Sequence, residues 1–186
     1  MRELALHLLD IAENSIAARA MNILIQVQED SGPDRLKLIV EDDGVGMSPE
    51  IVAQVTDAFY TTRTTRKVGL GLPLLKDAAE ACNGSLIVNS TVGVGTSIFV
   101  DFQRSHIDRM PLGDLSATFL SLLISNPQVH WQFQYRVDDK VFDFDDTTVK
   151  ECVGDLPLTE PEILAYLRET IQTGIDSVAA SEQIKQ

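Results

Sequence analysis

The chain is short of cysteine, has no surplus of positive charge and carries no long apolar run. Its two cysteines, Cys82 and Cys152, are far apart and in no paired motif. That excludes a disulfide framework or a Cys-rich metal site and fits a reducing cytosol. Fifteen Lys and Arg stand against 28 Asp and Glu, a formal charge of −13. Such a balance disfavours nonspecific association with nucleic acid or an anionic membrane, and neither is expected as a partner. Asp10 and Glu13 interrupt the N-terminal residues too early for a signal peptide or membrane helix, and no run elsewhere approaches a span. A cytoplasmic protein is expected. The three histidines His7, His106 and His130 are scattered, which argues against a transition-metal site, and His130 reads as a solvent-facing strand residue. No internal repeat and no low-complexity segment is present.

The 186 residues suffice for one full domain and a small second one. Residues 2–20 have helical spacing, with Leu4, Leu8, Ile11 and Ile16 recurring and no Gly or Pro between them. Residues 23–27 and 36–41 read as strands of a hairpin around Gly32-Pro33. Ser48-Pro49-Glu50 opens a short helix, with Ser48 as cap. Residues 61–71 are polar and cationic without periodicity, hence a long loop. A helix follows over residues 72–81, stopped by Asn83-Gly84, and strands follow over 85–89 and 97–102. Residues 104–111 read as a linker, after which the character changes. Leu112, Leu115, Phe119, Leu122 and Leu123 predict a helix. Val129, Trp131, Phe133, Tyr135 and Val137 alternate with polar residues as in a half-buried strand, and Asp138-Asp139 turns it into a partner at residues 141–144. A capping box, Thr159-Glu160-Pro161-Glu162, precedes a last helix with Gly174 as stop. The expected units are residues 1–104, a small α+β region over 105–176 for partner binding or dimerisation, and a disordered tail over 177–186.

Four segments carry chemistry. Asp10 and Asn14 are one helical turn apart, with His7 on the same side, so a carboxylate and a carboxamide share a face. They can hold hydrated Mg²⁺ or orient a water, or form a solvated polar stripe. Asp42-Asp43-Gly44-Val45-Gly46-Met47 follows an apolar strand. It offers a carboxylate and then backbone free of Cβ bulk, suited to a flat ligand, although Asp-Gly pairs also make ordinary turns. Thr61-Thr62-Arg63-Thr64-Thr65-Arg66-Lys67 sets three cations and four hydroxyls before Val68-Gly69-Leu70-Gly71-Leu72. Glycines opening a helix expose backbone N–H groups to an anion. No Gly-Lys-Ser/Thr is present, so this is not a P-loop. Last, Gly93-Val94-Gly95-Thr96 leads into a strand.

In order and spacing these segments resemble the ATPase superfamily shared by gyrase, a heat-shock chaperone, histidine kinases and MutL-type repair proteins, over roughly residues 4–102. Residues 9–15 look like its N box, Asp42 to Gly46 like the first glycine box, Phe59 to Arg63 like the F box of the kinases, and Gly69 to Leu72 like the second glycine box. The resemblance implies an α/β fold of α+β sandwich type, the Bergerat fold: a mixed, mostly antiparallel sheet with helices on one face. It implies ATP and Mg²⁺ as ligands. Asn14 would coordinate the Mg²⁺, and Asp42 would bind the adenine amine with Thr96 helping through water. Gly44, Gly46 and Met47 would approach the base, with Phe59 and Thr62 contributing from the F box. Gly69, Leu70, Gly71 and Leu72 would wrap the phosphates, and Arg66 or Lys67 would neutralise them.

The departures also inform. Hydrolysing members and anti-sigma kinases have Glu at the place of Asp10, and histidine kinases usually Asn. Asp keeps the charge but is shorter by one methylene. The Lys often found three residues after the Asn is Ala17 here. No phosphoacceptor helix precedes the N box, so a complete sensor kinase is not expected. The whole chain also resembles small stand-alone ATP-binding proteins of anaerobic bacteria, in the 61–67 loop, Ser105 to Arg109 and Pro111 to Asp114. The leading expectation is a Mg·ATP-binding regulatory protein that acts on an unidentified partner protein, with the C-terminal region recognising the partner or forming a homodimer. An ATPase switch with Asp10 as catalytic base, or a non-catalytic ATP-sensing module, are the alternatives.

Overall fold

The computed structural model describes residues 3–57, 71–154 and 156–179. Six strands form one sheet in the order β3-β4-β2-β1-β5-β6. They are β1 (Asn22–Asp30), β2 (Arg35–Asp42), β3 (Ser85–Thr91), β4 (Gly95–Gln103), β5 (His130–Val137) and β6 (Lys140–Asp145). The β1–β5 pair is parallel and the other four pairs are antiparallel. The helices are α1 (Leu4–Ala17), α2 (Pro49–Val52), α3 (Gly71–Ala81), α4 (Leu115–Ser125), α5 (Thr147–Val153) and α6 (Pro161–Ala179). This is the mixed, mostly antiparallel α/β architecture expected from the sequence.

The period-two pattern decides which sheet face is covered. Ile23, Ile25, Val27, Leu36, Leu38, Val40, Val100, Phe102, Trp131 and Phe133 are all buried. They point the same way because alternate strand residues share a face. Their opposite neighbours are half-buried or exposed and mix apolar residues such as Ile39 and Phe99 with Gln26 bonded to Gln134 and Lys37 paired with Asp30. The apolar stripes of α1 (Leu4, Leu8, Ile11) and α3 (Leu72, Leu75, Ala79) bury against the first face. Helix α4 adds Phe119, whose ring stacks on Phe133 at 4.8 Å and meets Trp131 edge-on at 6.4 Å.

Residues 104–114 are tied into this body. A helix start leaves amide donors unsatisfied, and the N-cap of α1, Glu3, makes no side-chain cap. The N–H groups of Leu4 and Ala5 donate instead to the carbonyls of Pro111 and Leu112, at 3.0 and 2.8 Å. Leu112 therefore precedes α4 rather than joining it, and Asp114 caps α4 by accepting from the Ala117 N–H at 2.8 Å. A buried polar triad adds a second tie. Glu29, on β1, accepts from the Tyr135 hydroxyl at 2.7 Å and from Arg104 Nε at 3.0 Å. Burial first, and then the Glu29 charge, push the Tyr135 pKa upward.

Two local expectations are corrected and one element is added. Ser48 makes no side-chain cap to α2; its hydroxyl serves the Glu50 carboxylate. Helix α5 was not legible, having no apolar stripe of its own length. Gly174 does not stop the last helix, which runs on to Ala179 and takes in the first residues of the expected tail. A Cβ at Gly174 would lie 2.1 Å from the Phe142 ring. The glycine is there for close packing on β6, not for termination.

Gly174→Ala therefore separates two effects of opposite sign. Helix propensity alone would stabilise by about 1 kcal/mol. We expect net destabilisation of about 1–3 kcal/mol from overpacking, read as a lower urea midpoint.

Candidate functional site

The candidate residues gather where β2 ends and α1 passes over it. Asp42 is the last residue of β2 and is half-buried. The Ser15 hydroxyl, from α1, donates to its Oδ2 at 2.6 Å, and the Gly44 N–H donates to Oδ1 at 2.9 Å. Both carboxylate oxygens are thus engaged by donors from the helix and from the loop, which fixes the plane of the group. The Val45 N–H donates to the Ala18 carbonyl at 2.9 Å, laying the loop against the end of α1.

The glycines allow backbone-on-backbone contact. Gly46 has φ +66°, and a Cβ there would come within 2.0 Å of the Thr91 carbonyl oxygen. Gly95 has φ +137°, and a Cβ would come within 1.9 Å of the Asp42 carbonyl oxygen. Both the conformation and the space demand glycine. Thr96 is the register partner of Asp42 on β4. Its hydroxyl lies 2.9 Å from that of Ser90, which also accepts from the Met47 N–H at 2.8 Å and donates to the Gly95 carbonyl at 2.9 Å. Ser90 has one proton and spends it on Gly95, so Thr96 is the donor of the hydroxyl pair.

At the other end, Asp10 and Asn14 lie half-buried one turn apart on α1. A Cβ at Gly71, the first residue of α3, would lie 1.9 Å from an Asp10 carboxylate oxygen. Asp10 therefore stands directly against the start of α3. Leu72 is buried beneath, in the core. His7, one turn before Asp10, is buried, and desolvation lowers its pKa, with Asp10 opposing.

The fold thus brings Asp42, Gly44, Gly46, Met47 and Thr96 to one end of the sheet, with Asp10, Gly71 and Leu72 where α1 meets α3 and Asn14 one turn along α1 from Asp10. Phe59, Thr62, Arg66, Lys67, Gly69 and Leu70 lie outside the described residues. In sequence, Ser15 reads as a helix residue packing near the nucleotide, and Ser90 carries no role. Ser15 shares its helix face with Ile11, and only the pairing of elements reveals that it meets Asp42. Ser90 is an ordinary strand serine in sequence, with no signal to find it by.

Asp43 supports the corner. Its carboxylate accepts from the N–H groups of Met21 and Asn22, at 2.7 and 2.8 Å, and from the Asn22 side chain at 2.6 Å. Desolvation alone would raise its pKa, but these hydrogen bonds outweigh it and the pKa is lowered. A group with a lowered folded-state pKa stabilises the fold above its ordinary value, here 3.8, and the contribution is lost as pH falls through the folded value. Asp43→Asn should accordingly be less stable near neutrality and lose less stability than the parent below about pH 4. Urea midpoints measured across the acid range check this.

A family model described as histidine kinase-, DNA gyrase B- and HSP90-like ATPase matches residues 1–106. The sensor protein kinase WalK of Staphylococcus haemolyticus is 34% identical over 87 residues, which are 44% of this chain and 14% of that protein. An NtrY-like sensor histidine kinase of Rickettsia conorii is 30% identical over 108 residues, 58% of this chain and 18% of that protein. The chain thus spans less than a fifth of either relative. Among solved structures, the N-terminal domain of a DNA repair protein matches with a TM-score of 0.53 at 16% identity, over 78% of this chain and 52% of that one. That likeness concerns the fold. No described helix is long and apolar enough to cross a membrane.

Proposed function

Because the chain belongs to the histidine kinase-, DNA gyrase B- and HSP90-like ATPase family, we propose that it binds Mg·ATP and uses it to regulate a partner protein, by phosphoryl transfer or by a nucleotide-dependent change of grip. The observation that carries the reading is Asp42, held by Ser15 and the Gly44 N–H at the end of β2, where glycines pack tightly against neighbouring backbone. A fixed carboxylate is the right acceptor for an exocyclic amine. Side chains at Gly46 and Gly95 would collide with the backbone around Asp42, so these glycines hold the acceptor's surroundings in place.

The residues also fit a divalent cation at the phosphate end. Asn14 offers a carboxamide oxygen and Asp10 a carboxylate on the same helix face, both hard oxygen donors. Bound Mg²⁺ supplies charge neutralisation at the phosphates. Asp10 can orient or deprotonate an attacking group, and its position against the first residue of α3 sets it beside the glycine-rich segment. An acid at this position favours hydrolysis as a second reading, with the energy spent on conformational switching. The region from residue 105 onward is assigned to partner recognition or self-association.

Titration calorimetry with Mg·ATP tests the binding step. Asp42→Asn should weaken binding by roughly 10- to 100-fold, from loss of a charge-assisted hydrogen bond. Asp10→Asn should leave binding intact and lower turnover by about 10²- to 10⁴-fold. An unchanged rate would remove Asp10 as base. Absence of binding at millimolar Mg·ATP would sink the proposal.

A further inference from the structure

Beyond the nucleotide site, the sheet gathers a second set of chemical groups that the linear sequence scatters. His130 opens β5, and Asp145 and Asp146 stand where β6 passes into α5. His130 Nδ1 lies 2.7 Å from Asp146 Oδ1, and its Nε2 lies 3.5 Å from Asp145 Oδ2. One ligand atom from each residue falls within 4.8 Å of the others. We propose that this corner is a binding site for a borderline divalent cation of the Zn²⁺ class, with His130 Nε2 and Asp145 Oδ2 as its ligands.

The geometry separates ligands from support. Asp146 is 1% exposed and holds Nδ1. That hydrogen bond makes Nδ1 the protonated nitrogen and leaves the Nε2 lone pair outward, the carboxylate–histidine–metal arrangement of metalloproteins. Donors at about 2.0–2.2 Å from a tetrahedral Zn²⁺ lie about 3.3–3.5 Å apart, which the Nε2–Oδ2 spacing matches. The ligating carboxylate is itself oriented. Asp145 Oδ1 accepts the Thr147 N–H at 2.9 Å, and Oδ2 accepts from the Gln132 side chain at 3.0 Å. Lys150, the nearby cation, is engaged elsewhere, 2.6 Å from Asp146 Oδ2 and 2.5 Å from the Val129 carbonyl. It neutralises the buried carboxylate rather than occupying the ligand position. An open cleft of about 600 Å³ adjoins the corner, lined by Met21, Asn22, Pro127 and Gln128 among others. Imidazole among the ligands selects Zn²⁺-class ions over Mg²⁺ or Ca²⁺.

The test uses the full chain without nucleotide, titrated with Zn²⁺ in a calorimeter and with Co²⁺ in a visible spectrometer. One Zn²⁺ per chain is expected, with a Co²⁺ absorption band that Zn²⁺ abolishes. His130→Ala and Asp145→Asn should each weaken binding by at least about tenfold, and Asp146→Asn by about 10- to 100-fold. His106→Ala, at another partly exposed histidine, should leave it unchanged. Asp145 is largely solvent-exposed, so its variant retains the fold, checked by the emission of the single Trp131. No saturable Zn²⁺ binding by the parent, or parental affinity in a folded Asp145→Asn, overturns the proposal.

Discussion

The central strand β1 is the constraint on which the rest depends. Every residue from Ile23 to Glu29 is paired on both sides, antiparallel to β2 and parallel to β5. Its buried side carries Ile23, Ile25 and Val27 into the core. A strand fixed on two edges and one face cannot slip, because a one-residue shift would turn its apolar set outward. The register of β1 therefore fixes where β2 ends, and with it where Asp42 stands.

Both sites hang from the same end of this strand. Asn22 is held by Asp43, the neighbour of the candidate adenine acceptor, and is the register partner of His130. The N–H of His130 also donates to the Met21 carbonyl at 2.7 Å. A change at either corner has a short, hydrogen-bonded route to the other. At the far end of β1, Glu29 gathers Arg104 and Tyr135, and through Tyr135 it joins β5, which follows the family-matched region, to the first strand. A buried charge of this kind is tolerated only when it is paired, so removing one partner costs more than the pair contributes.

For function, the division of labour follows from geometry. One end of the candidate site is tied on several sides: Asp42 is bound from two directions, and Gly46 and Gly95 bring three strands' backbones into contact. The other end is the junction of α1 with α3, where Asp10 meets Gly71. Under the proposed reading, the base would meet the end that holds Asp42 and the phosphates the junction.

Periodicity and turn chemistry determined much of this protein. The hairpin of β1 and β2, the pairing of β3 with β4, the alternation of β5 and the apolar stripes of α1 and α3 all follow from local patterns. The residues proposed for the nucleotide come in short runs such as Asp42 to Gly46, and the family resemblance is what joins those runs into one candidate site. Only the tertiary structure decided the rest. Residues 104–111 look like a linker, and Leu112 like part of a helix, because nothing local reveals that α1 needs the carbonyls of Pro111 and Leu112. Gly174 looks like a stop because a close approach to Phe142 leaves no trace in sequence. Ser15 and Ser90 become site residues through contacts 27 and 6 positions away. His130 looks isolated among scattered histidines until β5 and β6 bring Asp145 and Asp146 beside it. Spacing along a chain reports on one element at a time, whereas a site is made where elements meet.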